Sequence, residues 1–167
     1  MKDITRNFSV FVDGRGFIGE AKKVSPPKLA MKVEEFIGGG MSTPIEVHFG
    51  TEKLEMSVTW NTTRSASFDA FGIRPGVKIP LTFHRALADA DGANTKRVTI
   101  HVRGFLKELD EGDTENQKAS EQKDLFAIDY YRRLENGIEK LEIDAMLGII
   151  KTNGVSQTAW IKDALML

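Results

Sequence analysis

The chain has 167 residues, 41% hydrophobic and 28% charged, with a formal net charge of −1, so it suits one domain of ordinary size with enough apolar material for a real core. A charge so near zero argues against a dedicated nucleic-acid binder, which carries a basic field. The absence of cysteine excludes disulfides, thiolate zinc sites and cysteine nucleophiles together.

No apolar run approaches the ~18 residues of a membrane span, and Met1 to Arg6 lack the apolar region of a signal peptide. The expectation is a protein made and first used in the cytoplasm. Phe8 to Val12 alternates as a strand and Asp13-Gly14 signals a turn. Gly14, Gly16 and Gly19 then satisfy G-x-G-x-x-G, the sign of a dinucleotide loop, and a nucleotide-dependent enzyme is the distant alternative that rests on them. That loop needs a following helix to meet a pyrophosphate, and only Glu20 to Ser25 separate it from Pro26-Pro27. A hairpin turn over a small residue fits better.

Residues 26–44 form an arm of mixed character, stiffened by Pro26-Pro27 and loosened by Gly38-Gly39-Gly40. Read with period two, Leu29, Met31 and Val33 share one face and Lys28, Lys32 and Glu34 the other. Read with period 3.6, Leu29, Val33, Phe36 and Ile37 form a stripe capped by Ser25 and Gly38. The pattern fits both.

Beyond the arm, Ile45 to Phe49 and Leu54 to Trp60 read as a strand pair with one apolar and one polar face, turning near Gly50 to Lys53. Arg64 to Phe71 reads as a short helix, and Lys78 to Leu87 and Lys96 to Leu109 as long strands. Their link contains Asp89-Ala90-Asp91-Gly92, whose spacing misses that of a calcium loop. Glu108 to Asp124 reads as a mobile polar loop. Leu125 to Leu134 and Ile138 to Ile143 flank the hairpin signal Asn136-Gly137, a second Asn-Gly stands at Asn153-Gly154, and Ser156 to Leu167 reads as an amphipathic helix with Ser156 as cap. With about eight to ten strands and two short helices, the chain is mainly β.

No constellation for catalysis or metal binding stands out. His48, His84 and His101 lie in strand-like segments without metal-site spacing. Gly38-Gly39-Gly40 precedes Met41-Ser42 rather than the Lys-Ser/Thr of a phosphate loop. Glu34-Glu35 and Glu142 with Asp144 are acidic pairs of the kind that abundant charge produces by chance. No catalytic residue, cofactor or metal is assigned.

Five short pieces, in order, carry a resemblance over nearly the entire chain. They are Phe11 to Gly19 (F-x-D-G-x-x-F-x-G), Pro27 to Met41, Arg103 to Gly112 (R-G-x-x-K-E-x-D-x-G), Tyr130-Tyr131 with Leu134, Gly137 and Glu142-Ile143-Asp144, and Asn153-Gly154-Val155. Together they resemble the major tail tube proteins of contractile phage tails and the related R-type bacteriocin tube proteins. The ending Met166-Leu167, where that family often has Gly-Leu, departs from the pattern.

The resemblance implies two packed β-sheets in a sandwich or half-open barrel, six subunits to a ring, and stacked rings forming a rigid inner tube. Its implied partners are further copies of the chain, a sheath, a tape measure protein, a baseplate or spike, and phage DNA passing through without sequence-specific binding. The implied location is the tail of a virion or tail-like particle assembled in the bacterial cytoplasm, and the tube of a type VI secretion system is the near alternative. It also implies an extended arm packing on a neighbour, with Leu29, Met31, Lys32, Val33, Glu34, Phe36, Gly38, Gly39, Gly40 and Met41 as the inter-subunit residues. A bore that passes DNA should be neutral to acidic, because every cation facing a phosphate becomes a salt-dependent anchor. Glu46, Glu55, Ser57 and Thr59, on the polar face of the strand pair and with no lysine among them, are the residues expected to line it; a sheath-facing position is the other option.

Overall fold

In a computed structural model, residues 1–17 and 19–167 are described. Among them run β1 Ile4–Val12, β2 Arg15–Gly16, β3 Ala21–Ser25, β4 Met31–Phe36, β5 Ile45–Thr51, β6 Leu54–Trp60, α1 Ser65–Ala70, β7 Ile79–Ala88, β8 Lys96–Asp110, β9 Gln122–Glu135, β10 Ile138–Asp144, β11 Ile149–Thr152, β12 Val155–Ser156 and α2 Ala159–Ala164. The chain is mainly β, as its alternating pattern requires.

The long β8–β9 pair is the spine. The second half of β9 pairs with β10, its first half pairs with β6, and β6 in turn pairs with β3. On the other side β8 pairs with β7 only as far as Gly104, and β7 pairs with β1. The ten-stranded sheet therefore divides into a body, β1-β7-β8-β9-β10-β11, and a four-stranded wing, β3-β6-β9-β8. One apolar cluster joins them: Leu54, Met56, Val58 and Trp60 of the wing meet Val10, Leu81, Phe83, Ile100 and Tyr131 of the body. The sheet does not close on itself.

Gly104 sits where the neighbouring backbone leaves no room for a β-carbon, and Gly16 sits against an aromatic ring. A β-carbon on Gly104 would lie 1.9 Å from the Ala127 carbonyl oxygen, where β8 shifts register between Arg103 and Gly104. A β-carbon on Gly16 would lie 2.7 Å from the Phe11 ring. Gly16 is thus the small residue of a β1–β2 hairpin, with Val12 opposite Arg15. An antiparallel hairpin stands where a dinucleotide site needs a strand, a loop and a helix; the last step to Gly19 crosses Ile18, which is outside the described residues.

Four expectations need correction. Ile45–Thr51 does not pair with Leu54–Trp60: β5 pairs with β4, and β6 with β3 and β9. A strand that follows another closely in sequence finds the partner whose apolar phase matches, and the matching core phase of β6 lies on β9. The polar loop is shorter than expected, because β8 runs to Asp110 and β9 starts at Gln122. Ser156 ends β12 rather than capping a helix, and α2 begins after Thr158 with no side-chain cap. The strands number twelve among the described residues, because two-residue ladders such as β2 are too short to carry a periodicity.

Candidate functional site

The arm is a hairpin that stands off the body. Met31 faces Thr51, Val33 faces His48 and Phe36 faces Ile45 in a separate two-stranded sheet. All six residues of β4 are exposed, Lys32 and Glu34 as well as Met31 and Val33. Apolar exposure is high at both ends of the hairpin, 56% for Phe36 and 60% for Ile37 toward the tip and 62% for Phe49 near the base. The tip contains a tight turn in which the Met41 amide donates to the Gly38 carbonyl at 3.1 Å and the Gly38 amide meets Met41 Sδ at 3.2 Å. Gly39 is free of neighbours and Gly40 takes a positive φ of 84°.

The arm is thus extended, and most of its apolar side chains meet no core. Monomeric proteins rarely leave so many apolar side chains of one hairpin in water. At its base Leu29, Met31 and Phe49 border a cavity of about 700 Å³ whose far wall is Leu141, Ile143, Ile150, Trp160 and Ile161.

The bore candidates divide. Glu46 lies exposed on the arm hairpin, while Glu55, Ser57 and Thr59 occupy the outward phase of β6, alternating with four buried apolar residues. The structure does not bring Glu46 to that face. Cross-strand partners complete it with Lys23 and Ser25 of β3, Lys123, Leu125 and Ala127 of β9, and Phe105, Glu108 and Asp110 of β8.

Lysines therefore do stand on this face. Lys107 Nζ lies 2.7 Å from Glu55 Oε1 and Lys53 Nζ 3.3 Å from the same oxygen. These two hydrogen bonds, Lys107 first, hold the Glu55 carboxyl below its ordinary value, and Glu55 raises Lys107 in turn.

A buried polar cluster fixes α1 to the wing. The Trp60 indole N–H donates to Asp124 at 2.9 Å, the Ser67 hydroxyl donates to the same carboxylate at 2.6 Å, and the Gln122 amide donates at 2.9 Å. The Arg64 backbone N–H donates to Gln122 at 2.9 Å, and the Arg64 guanidinium packs against both the Phe17 and Trp60 rings, at 3.8 and 3.7 Å from their centroids. Burial draws the Arg64 pKa down, against the pull of Asp124 and Glu20. This cluster escaped sequence reasoning. Its signal was there: Gln122 and Asp124 share the phase of Phe126 and Ile128, so two polar groups sit on a core face and require partners. Among the described residues no cluster of histidines and carboxylates is placed to hold a metal ion, and no helix is long and apolar enough to cross a membrane.

The exposed hairpin, open sheet and paired polar face are features of an assembly subunit. The family model for phage tail tube protein FII matches residues 2–165. The chain belongs to that family. The tail tube protein of Escherichia phage P2 is 30% identical over 152 residues, covering 89% of this chain and 88% of the relative. The major tail tube protein of Serratia phage KSP20 is 24% identical over 160 residues, covering 89% and 86%.

Solved structures agree on the fold. A chain of the sheath-tube complex of the extracellular contractile injection system PVC, in its extended state, aligns with a TM-score of 0.59 at 15% identity, covering 77% of this chain and 88% of that one. A chain of the anti-feeding prophage tube terminating cap aligns at 0.55 and 15% identity, covering 77% and 87%. The family is a structural one, and the chain is a tail tube protein of the contractile kind.

Proposed function

We propose that this chain builds the inner tube of a contractile tail or tail-like particle by closing into six-subunit rings that stack, with the arm at 26–44 crossing to a neighbour. The observation that carries this reading is the β4–β5 hairpin, whose apolar side chains the described residues of its own subunit leave about half exposed. The apolar tip at Phe36 and Ile37 and the apolar cavity at the base of the hairpin are unlike surfaces, and the joining of unlike surfaces is a heterologous contact, which generates rings or filaments rather than closed pairs. Leu29, Met31, Val33 and Phe36 supply the apolar contact, Lys32 and Glu34 its polar edge, and Gly38, Gly39, Gly40 and Met41 the turn that lets the tip bend onto a neighbour.

The wing supports the ring. Its two outer edges are β3, paired only with β6, and β8 beyond Gly104, paired only with β9. Exposed edges invite further pairing, and closure into a barrel removes them. Six four-stranded wings give a 24-stranded barrel, which at ~4.8 Å strand spacing and ~40° tilt measures roughly 48 Å across its backbone. That leaves room for a DNA duplex. In such a barrel the core phase of the wing faces outward toward the body of each subunit, and the face with Glu55, Ser57 and Thr59 lines the channel. Glu46, on the arm, belongs to the contact between subunits instead.

A sheath outside the tube, a tape measure protein within it during assembly, and a baseplate or spike at its tip complete the particle, which assembles in the bacterial cytoplasm and conducts DNA or pierces an envelope. The reading is tested by light scattering coupled to size exclusion, followed by negative-stain microscopy. Rings or stacked tubes are expected without nucleotide or metal. A chain that stays monomeric at high concentration and with its sheath partner overturns it.

A further inference from the structure

The outward face of the wing carries its charges in balance. Lys23, Lys107 and Lys123 stand against Glu55, Glu108 and Asp110, three cations to three carboxylates. At the rim Lys22 pairs with Glu121, and Lys53 lies 3.3 Å from the same Glu55 that Lys107 reaches, so with the rim included the face carries one cation in excess. The pairing is local. Lys107 reaches Glu55 from the bulge between Leu106 and Glu108, and Asp110 lies directly opposite Lys123. Between the charges lie Ser25, Ser57, Thr59 and Ala127, short side chains that leave the paired groups at the surface.

We propose that this face is a largely self-neutralised surface for a sliding polyanion, in which Lys22, Lys53, Lys107 and Lys123 each face a carboxylate of their own subunit and so are withheld from the phosphates of a DNA duplex. Lys23, opposite Thr59, has no ion pair among the described residues. The proposal rests on the wing lining the channel. Its physical basis is counterion release: a free lysine that neutralises a phosphate contributes about 0.9 to the slope of log affinity against log salt. A lysine already neutralised by Glu55 releases no counterion to DNA and must first break its own pair. A wholly acidic bore repels DNA and a basic one holds it; a paired one does neither. Glu55 is the control point, since one carboxylate faces both Lys53 and Lys107.

The test uses the full chain as dispersed subunits, where the face is open, and a fluorescent 20-base-pair duplex read by anisotropy against salt. The native chain should bind weakly with a salt slope no steeper than about 1, the share of the one unpaired lysine, Lys23. A variant carrying Glu55→Gln, Glu108→Gln and Asp110→Asn should bind at least about ten-fold more tightly at low salt, with a slope steeper by about 3, one phosphate for each of the freed Lys53, Lys107 and Lys123. Adding Lys107→Gln and Lys123→Gln to that variant should return it toward the native curve, which a general loss of structure does not do. A native chain already binding with a steep slope, or a triple variant that gains nothing, overturns the proposal.

A separate measurement isolates the position of the face. Since the chain has no cysteine, Ser57→Cys gives a single label site. In assembled tubes it should react with a small maleimide and resist one coupled to a bulky polymer too large for the bore. Rapid labelling by the bulky reagent puts the face outside, and then the channel reading fails whatever the DNA curves show.

Discussion

Two antiparallel hairpins in this molecule have similar sequence texture and opposite fates. In β8–β9, alternate residues from Val98 to Leu106 and from Gln122 to Ile128 are buried, and the pair forms the wall of the core. In β4–β5, Met31, Val33, Ile45 and Val47 alternate with charged residues in the same way, yet every one of them is exposed. Alternation states that a strand has an apolar face. It does not state which chain covers that face, and under the function proposed above the cover belongs to another copy.

The comparison breaks most sharply at the core. Trp60 is fully buried, touches Phe17 edge-on at 5.5 Å and donates to Asp124. Trp60→Ala should cost about 3–5 kcal/mol of subunit stability, as removal of a large buried aromatic does, and denaturant unfolding checks it. A loss under about 1 kcal/mol means that the wing and body do not share one core.

The corresponding change in the arm should behave in the opposite way. Replacing Leu29, Met31 and Val33 together by serine should leave the unfolding free energy of the isolated subunit within about 1 kcal/mol of native, since these side chains are half exposed already. The same variant should fail to polymerise, because apolar contact at ~25 cal/mol per Å² is lost at every interface around the ring. An unfolded monomer instead makes the arm part of its own core.

The smallest effect is a titration. Hydrogen bonds from Lys107 and Lys53 hold the Glu55 carboxyl below its ordinary value of 4.5. A carboxylate depressed in the folded state gives stability that is present above the unfolded value and lost as pH falls through the folded one. Acidifying from neutral pH to below the carboxylate range should therefore lower the melting temperature slightly. Glu55→Gln should remove its share of that slope, and an unchanged slope shows the pair to be absent in solution.

Much of this protein is legible in its amino-acid sequence. The turns at Asp13-Gly14, Asn136-Gly137 and Asn153-Gly154 lie where their residues demand, at positive φ in each case, because those conformations are local and few residues adopt them. The strand phases of Leu54 to Trp60 and Val98 to Leu106 follow from apolar alternation, and the family pieces set the function. What sequence leaves open is partnership between segments distant in the chain. Ile45–Thr51 precedes Leu54–Trp60 by three residues, yet its partner is β4 and that of β6 is β9. The Trp60–Asp124 hydrogen bond, the approach of Gly104 to Ala127 and the pairing of Lys107 with Glu55 likewise join residues 23 to 64 positions apart. Local propensity is decided within a few residues of backbone. Pairing is decided by which faces exclude water together, and that is settled only when the sheet has folded over its core.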